Sequence, residues 1–191
     1  MPRVTTAFAA ALALFLPIGR PLLVGLMPAV GIGAGLLTTQ AAFAQTAIDL
    51  FNSGLDKAKS GNLKGAIADW TKAIEIDPLF ARAYYNLGFA KYNLKDYRGA
   101  IADYTKAIEY NPNDAYAYNN RGNVKDELKD HQGAIADYTK AIQINPNYAE
   151  AYTNRGVVLE IVGDLKGACR DWKKAAELGD TLPIEWVRKE C

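Results

Sequence analysis

Gly-Ala-Ile-Ala-Asp-Tyr-Thr-Lys-Ala-Ile stands at residues 99–108, recurs unchanged at 133–142, and recurs at 65–74 with Trp70 as its only difference. Other ladders interleave with it. Gly54, Gly88, Gly122 and Gly156 are 34 residues apart, as are Ala66, Ala100, Ala134 and Ala168, and Pro78, Pro112 and Pro146. A fixed period of this length is the mark of a repeat architecture, and it has to be recognised before any single segment is read.

Each period reads as two helices. In the second, Ala66, Trp70, Ala73 and Ile74 lie at i, i+4, i+7 and i+8, one apolar stripe of a 3.6-residue helix. Asn62, Asp96, Asp130 and Asp164 precede these helices, and their side-chain oxygens suit free N–H groups at a helix start. The Asp-Pro or Asn-Pro pairs at 77–78, 111–112 and 145–146 end them, because the residue before proline avoids the α region. The first helix of each unit runs from near Ala47, Ala81, Ala115 and Ala149, with Thr46 as the N-cap of the first. Gly54 and its equivalents fall in mid-helix, where glycine costs ~1 kcal/mol against alanine. Their recurrence implies two helices so close that a β-carbon would obstruct them. After the last long helix, Gly179 reads as a stop. Pro183 suits the first turn of a short helix over 183–190, with Ile184, Val187 and Cys191 on one face and Trp186 flanking it.

The first 44 residues differ in kind. Arg3 and Arg20 are their only charges, and two apolar runs lead to Ala42-Phe43-Ala44 and then Gln45. A positive flank, an apolar centre and small residues before the junction form a secretory signal, cleaved between Ala44 and Gln45. An uncleaved membrane anchor is the competing reading, since the run over 21–37 is near the lower limit for spanning a bilayer. Pro21, Pro28 and the glycines from Gly25 to Gly35 make that run a poor permanent helix. Beyond Ala44 the chain carries 20 Lys and Arg against 21 Asp and Glu, without the basic excess that duplex binding uses, so nucleic acid is not an expected partner.

The residues now carry a family resemblance. Tyr84, Leu87, Gly88, Ala100, Tyr104 and Pro112, and again Tyr118, Gly122, Ala134, Tyr138 and Pro146, resemble the tetratricopeptide pattern W-x2-L-G-x2-Y…A-x3-F…P. The resemblance implies an all-α fold: a right-handed α-solenoid of about four helix-turn-helix repeats, 47–80, 81–114, 115–148 and 149–182. A short capping helix over 183–191 closes an array that spans 45–182. Lys57, Lys91, Lys125 and Leu159 depart from the family's aromatic, and Arg121 and Arg155 from its leucine. The Asn-Arg-Gly runs at 120–122 and 154–156 resemble repeats of exported proteins from photosynthetic bacteria.

The same resemblance implies a protein-binding groove on the first helices. The positions it implies are Asn52, Asn86, Asn120 and Asn154, with Phe51, Tyr85, Phe89, Asn119 and Asn123, and Arg82 and Tyr92 at the edge. Amides offer donors and acceptors to a peptide backbone; aromatics add apolar area at low entropic cost. Repeated Asn is equally what recent duplication of one unit would leave. Family members that clamp a terminal carboxylate use Lys and Asn where this chain has Phe51 and Leu55, so that mode is not expected. The expected role is a scaffold or adaptor for other proteins, in a periplasm or thylakoid lumen, helping assemble an envelope or photosynthetic membrane complex. Alternatives are a membrane-tethered form of the same scaffold, attached only through residues 1–44, and a subunit binding cell-wall glycan.

Chemistry finds little purchase. His131 is the single histidine, without a ligand set around it in sequence. Ser53 and Ser60 are the only serines, and no phosphate-binding glycine loop follows a strand. No catalytic residue, metal or cofactor is expected. Cys169 takes the place of Ile67, Ile101 and Ile135, which reads as a core position, and Cys191 is the last residue. In an oxidising compartment the two are expected to form a disulfide that staples the capping helix, against the alternative of a buried thiol and a free terminal one. The signal reading has a direct check: protein isolated from its own cells should begin at Gln45 on N-terminal sequencing. A start upstream of Pro21 would establish the anchor instead.

Overall fold

A computed structural model describes residues 32–191, and among these it holds nine helices and no strand. They are α1 (Ile32–Lys59), α2 (Leu63–Ile76), α3 (Ala81–Asn93), α4 (Tyr97–Tyr110), α5 (Ala115–Glu127), α6 (His131–Ile144), α7 (Ala149–Ile161), α8 (Leu165–Glu177) and α9 (Ile184–Glu190). Odd and even helices pair as antiparallel hairpins, and each hairpin packs on the next through α2 on α3, α4 on α5 and α6 on α7. A single hairpin cannot bury its own apolar face, so stability accumulates over these interfaces.

The caps act as their chemistry requires. Asn62, Asp96, Asp130 and Asp164 each accept a bond from the backbone N–H three residues on, at 2.9–3.0 Å. Asp77, Asn111 and Asn145 leave the helical region before their prolines, with φ of −122°, −135° and −129°. Thr46 does not cap a helix. It lies inside α1, which runs without glycine or proline from Leu36 to Ser53 and continues back to Ile32 through Gly35 and Gly33. The proposed Ala44–Gln45 cleavage point therefore falls within α1, and residues 1–31 of the proposed signal lie outside the described residues. No helix among the described residues is long and apolar enough to cross a membrane.

The mid-helix glycines have the role that their recurrence implies. Sixteen residues after each stands a fully enclosed aromatic: Trp70, Tyr104, Tyr138 and Trp172. A β-carbon placed on Gly88 would sit 2.9 Å from the Tyr104 ring and one on Gly122 would sit 2.7 Å from Tyr138; Gly54 and Gly156 are tighter still against their tryptophans. Enclosed alanines at 66, 83, 90, 100, 117, 134, 151 and 168 keep the helices close elsewhere.

At the far end, α9 covers α8. Trp186 stacks at a tilt on Trp172 with centroids 5.3 Å apart, Pro183 is buried, and Cys169 is joined to Cys191 with Cα atoms 5.7 Å apart. Cys169 is not a core position. Like Ile67, Ile101 and Ile135 it is only partly buried, which leaves its sulfur at the rim where Cys191 reaches it. Where the fourth unit lacks its proline, Asp180 accepts bonds from the Thr153 hydroxyl (2.5 Å) and the Leu182 N–H (3.0 Å), tying the exit loop to α7.

Gly122→Ala separates two opposed effects. Propensity alone favours alanine by ~1 kcal/mol, whereas the Tyr138 ring gives an overpacking penalty of ~1–3 kcal/mol. The variant should be less stable than the parent in urea unfolding, and increased stability would refute the close approach.

Candidate functional site: the concave face of the first helices

The first helices converge: α3 approaches α5 and α5 approaches α7, with no comparable approach among the second helices. The stack therefore curves with α1, α3, α5 and α7 inside. What those helices present is decided by a set of buried charges behind them.

Asp69, Asp103, Asp137 and Asp171, one per repeat, are buried on the second helices. A buried carboxylate needs a cation and hydrogen bonds close by. Each finds them on the first helix of its own hairpin. Lys57 reaches Asp69 at 2.6 Å, Lys91 reaches Asp103 at 2.7 Å, and Lys125 reaches Asp137 at 2.7 Å. Arg121 holds Asp137 through two bonds of 2.8 and 2.7 Å, and Arg155 holds Asp171 through two of 2.7 and 2.8 Å. The departures from the family pattern at these positions are thus the partners of buried acids. Each arginine also donates to a threonine of the preceding repeat, Arg121 to Thr105 and Arg155 to Thr139, both at 3.0 Å, so it links neighbouring hairpins. The sequence held a signal for this: an Asp ladder with Lys twelve residues or Arg sixteen residues before it.

These environments differ in sign. The Lys57 ammonium and the Ser53 hydroxyl hold the Asp69 carboxyl below its ordinary range, whereas burial pushes Asp103 above it despite Lys91. Asp69 stabilises the fold when ionised, and that contribution disappears as pH falls through its depressed folded value. Asp103 has the opposite sign, because protonation relieves its burial.

The groove residues expected from sequence divide into three groups. Asn52, Phe89 and Arg82 are exposed, and Tyr85, Asn86, Tyr92, Asn120, Asn123 and Asn154 are half-buried. Phe51, 2% exposed, and Asn119, 0% exposed, are enclosed; Phe51 shows only an edge and Asn119 nothing. Phe51 is covered by Phe80 at 4.9 Å and by the Arg82 guanidinium 4.9 Å above its ring. Asn119 is walled in by α7, donating to Glu150 at 3.2 Å and accepting from Asn154 at 3.2 Å.

The amides are not uniformly free. Asn120 donates to the Tyr85 hydroxyl at 2.8 Å, and Asn154 donates to Asn123 at 3.1 Å as well as to Asn119. Two of the four equivalent asparagines therefore fasten one repeat to the next. Asn86 turns back to the Arg82 carbonyl at 2.8 Å.

Two hollows open on this face. One, of about 310 Å³, is lined by Phe51, Leu55, Arg82, Tyr85, Asn86, Asp114 and Tyr116. The other, of about 180 Å³, is lined by Tyr92, Asn123, Asp126, Glu127, Tyr138, Asn154 and Val157. Sequence reasoning missed Tyr116, Asp126 and Glu127. Stepping Arg82, Tyr92 and Asn93 forward by 34 residues lands on all three. Burial raises the phenols of Tyr85, Tyr92, Tyr104 and Tyr138, so they act here as neutral donors and apolar walls.

One contrast between repeats stands out. The Tyr138 hydroxyl donates to Asn123 at 2.8 Å. One repeat earlier the position of Asn123 is Phe89, which cannot accept from the enclosed Tyr104 hydroxyl. Phe89 itself is 47% exposed, and Tyr116 nearby in the array is 57% exposed. His131 adjoins the second hollow through Asp126, its Nδ1 2.8 Å from that carboxylate. Among the described residues no three His, Cys, Asp or Glu side chains are placed to hold a metal ion.

Models of the tetratricopeptide repeat match residues 81–114 and 115–148, and two further models of such repeats match 54–95 and 137–170. A crystal structure of MamA aligns at 29% identity over 78% of this chain and 95% of that one, with a TM-score of 0.68. A second MamA structure aligns at 32% identity over 72% and 75%, with a TM-score of 0.66. The first such domain of Spaghetti (RPAP3), bound to the HSP90 peptide SRMEEVD, aligns at 27% identity over 62% and 94%, with a TM-score of 0.61. No curated protein sequence matches significantly.

Asp69→Asn should lower the urea midpoint at pH 7 more than Asp103→Asn, and acidification should narrow the gap. Equal losses across the pH range would refute the assigned environments.

Proposed function

This chain belongs to the tetratricopeptide repeat family, and from that premise we propose that it is a protein-interaction scaffold that takes a segment of another polypeptide on its concave face. The observation that carries the reading is Phe89. A large ring stays half exposed on the first-helix face, and it cannot accept from the buried Tyr104 hydroxyl as Asn123 accepts from Tyr138. Phe89 thus forgoes a hydrogen bond that its counterpart makes, worth ~0.5–1.5 kcal/mol, so packing within the chain does not account for the residue. Contact with a partner does, since half-exposed aromatics are the usual anchors of such interfaces.

The related RPAP3 domain holds an HSP90 peptide, which supports peptide capture by this kind of face. The ligand differs in kind, because that peptide is acidic and the cations of this chain's first helices are largely committed to buried aspartates. Scaffolding is the family's general role, and no catalytic constellation emerges among the described residues to suggest another. The finer reading is that residues 1–44 direct the chain to a periplasm or thylakoid lumen, where it helps assemble an envelope or photosynthetic membrane complex. The signal pattern, the cysteine pairing and the style of the repeats support it.

A photo-crosslinking residue at position 89, compared with one at Arg98 on the outer helices, tests the groove in native cells. Discrete polypeptide adducts should form at 89 and not at 98. Equal adducts at both positions, or glycan adducts alone at 89, would overturn the reading.

A further inference from the structure

Resting on the groove reading above, we propose that the occupant is an extended segment with an apolar side chain and a lysine or arginine about four to five residues apart. The apolar residue enters the hollow beside Tyr85 and Tyr116. The basic residue enters the hollow at Asp126 and Glu127.

The argument begins with charge. Lys91, Arg121, Lys125 and Arg155 are every cation that α3, α5 and α7 carry apart from Arg82, and all four turn into buried aspartates. Among the acids on these helices, Asp126 and Glu127 line the second hollow, while Glu150 accepts from Asn119. A chain with balanced overall charge thereby presents a one-sided field where a partner would lie. Asp126 and Glu127 also occupy the last turn of α5, the end at which the helix dipole disfavours acids. Asp126 is partly met by His131 at 2.8 Å, whereas Glu127 is exposed and has no ion-pair partner among the described residues. The helix dipole opposes two carboxylates there, and a cation supplied from outside offsets that cost at Glu127, which finds none within the described chain.

The spacing follows from the scaffold. Both hollows are bordered by α3 and α5, one near residues 82–86 and 114–116, the other near 92 and 123–127. Eight to ten residues of helix advance about 12–15 Å, which an extended chain spans in about four to five residues. At about 310 and 180 Å³ the hollows are at or below the lower bound of ordinary small-molecule sites, about 300 Å³. They suit individual side chains on a strand. Phe89 lies on the path between them, on the helix both share.

Panning a random-peptide display library on the intact chain, with the Phe89→Ala protein as counter-screen, provides the test. Binders that need Phe89 should share an apolar residue and a Lys or Arg at the stated spacing. Glu127→Gln, an exposed change that removes an acid from the wrong end of a helix, should weaken the best synthetic peptide about tenfold. Glu127→Lys should restore binding to the peptide whose basic residue is replaced by Glu. Phe89-dependent binders without a basic residue, or indifferent to Glu127→Gln, would overturn this inference and leave the groove intact. If no binder depends on Phe89, the groove reading itself falls.

Discussion

A ring lying over a bare patch of helix is the contact on which the molecule is built. In every repeat an aromatic side chain of the second helix fills the space above a glycine sixteen residues earlier, and it does so at 0–2% exposure. This fixes the separation of the paired helices, and the separation fixes everything stacked upon them. Alanines enclosed at the remaining crossings keep successive hairpins close. Helical propensity is sacrificed at four positions for this purpose, and burial of four large rings offsets it.

Polar chemistry then decides what each surface shows. One aspartate per repeat is taken out of water, and only neighbours of opposite charge make that tolerable. The cations come from the first helices, which are the lining of the concave face. Satisfying the interior and shaping the groove's potential are therefore one event. Arginine rather than lysine at 121 and 155 adds a third bond to a threonine of the previous hairpin, which a compact ammonium could not make together with a bidentate grip. The later repeats are consequently joined by directed bonds as well as by packing, and the amides of Asn120 and Asn154 add to the joint.

The groove is not equivalent along its length, because the first helices that form it diverge while the second helices keep a shared run. Phe89 and Asn123 occupy one position in successive units, as do Tyr92 and Asp126. Repeats 1 to 3 thus contribute an aromatic end and repeats 2 to 4 an acidic one. The differences between duplicated units shape the groove, since many of the shared residues are occupied in holding the stack together.

Much of this was legible in the chain itself. The period of 34, the apolar stripe, the capping residues and the prolines define the helices because each acts locally, through hydrogen bonds and backbone angles within a few residues. The mid-helix glycines even announced a close approach. Burial of Phe51 and Asn119, the tying of Asn120 and Asn154, and the continuation of α1 through Thr46 were not legible, and neither was the fate of the lysines and arginines. Whether an amide or an ammonium faces a partner or an adjacent repeat depends on what lies 12 to 35 residues away across a packed interface. Periodicity alone does not say which of two equivalent side chains finds an acceptor there. Sequence determined that this is a stack of paired helices. Only the packing of one pair on the next decided which charges are consumed inside it and which remain to meet another molecule.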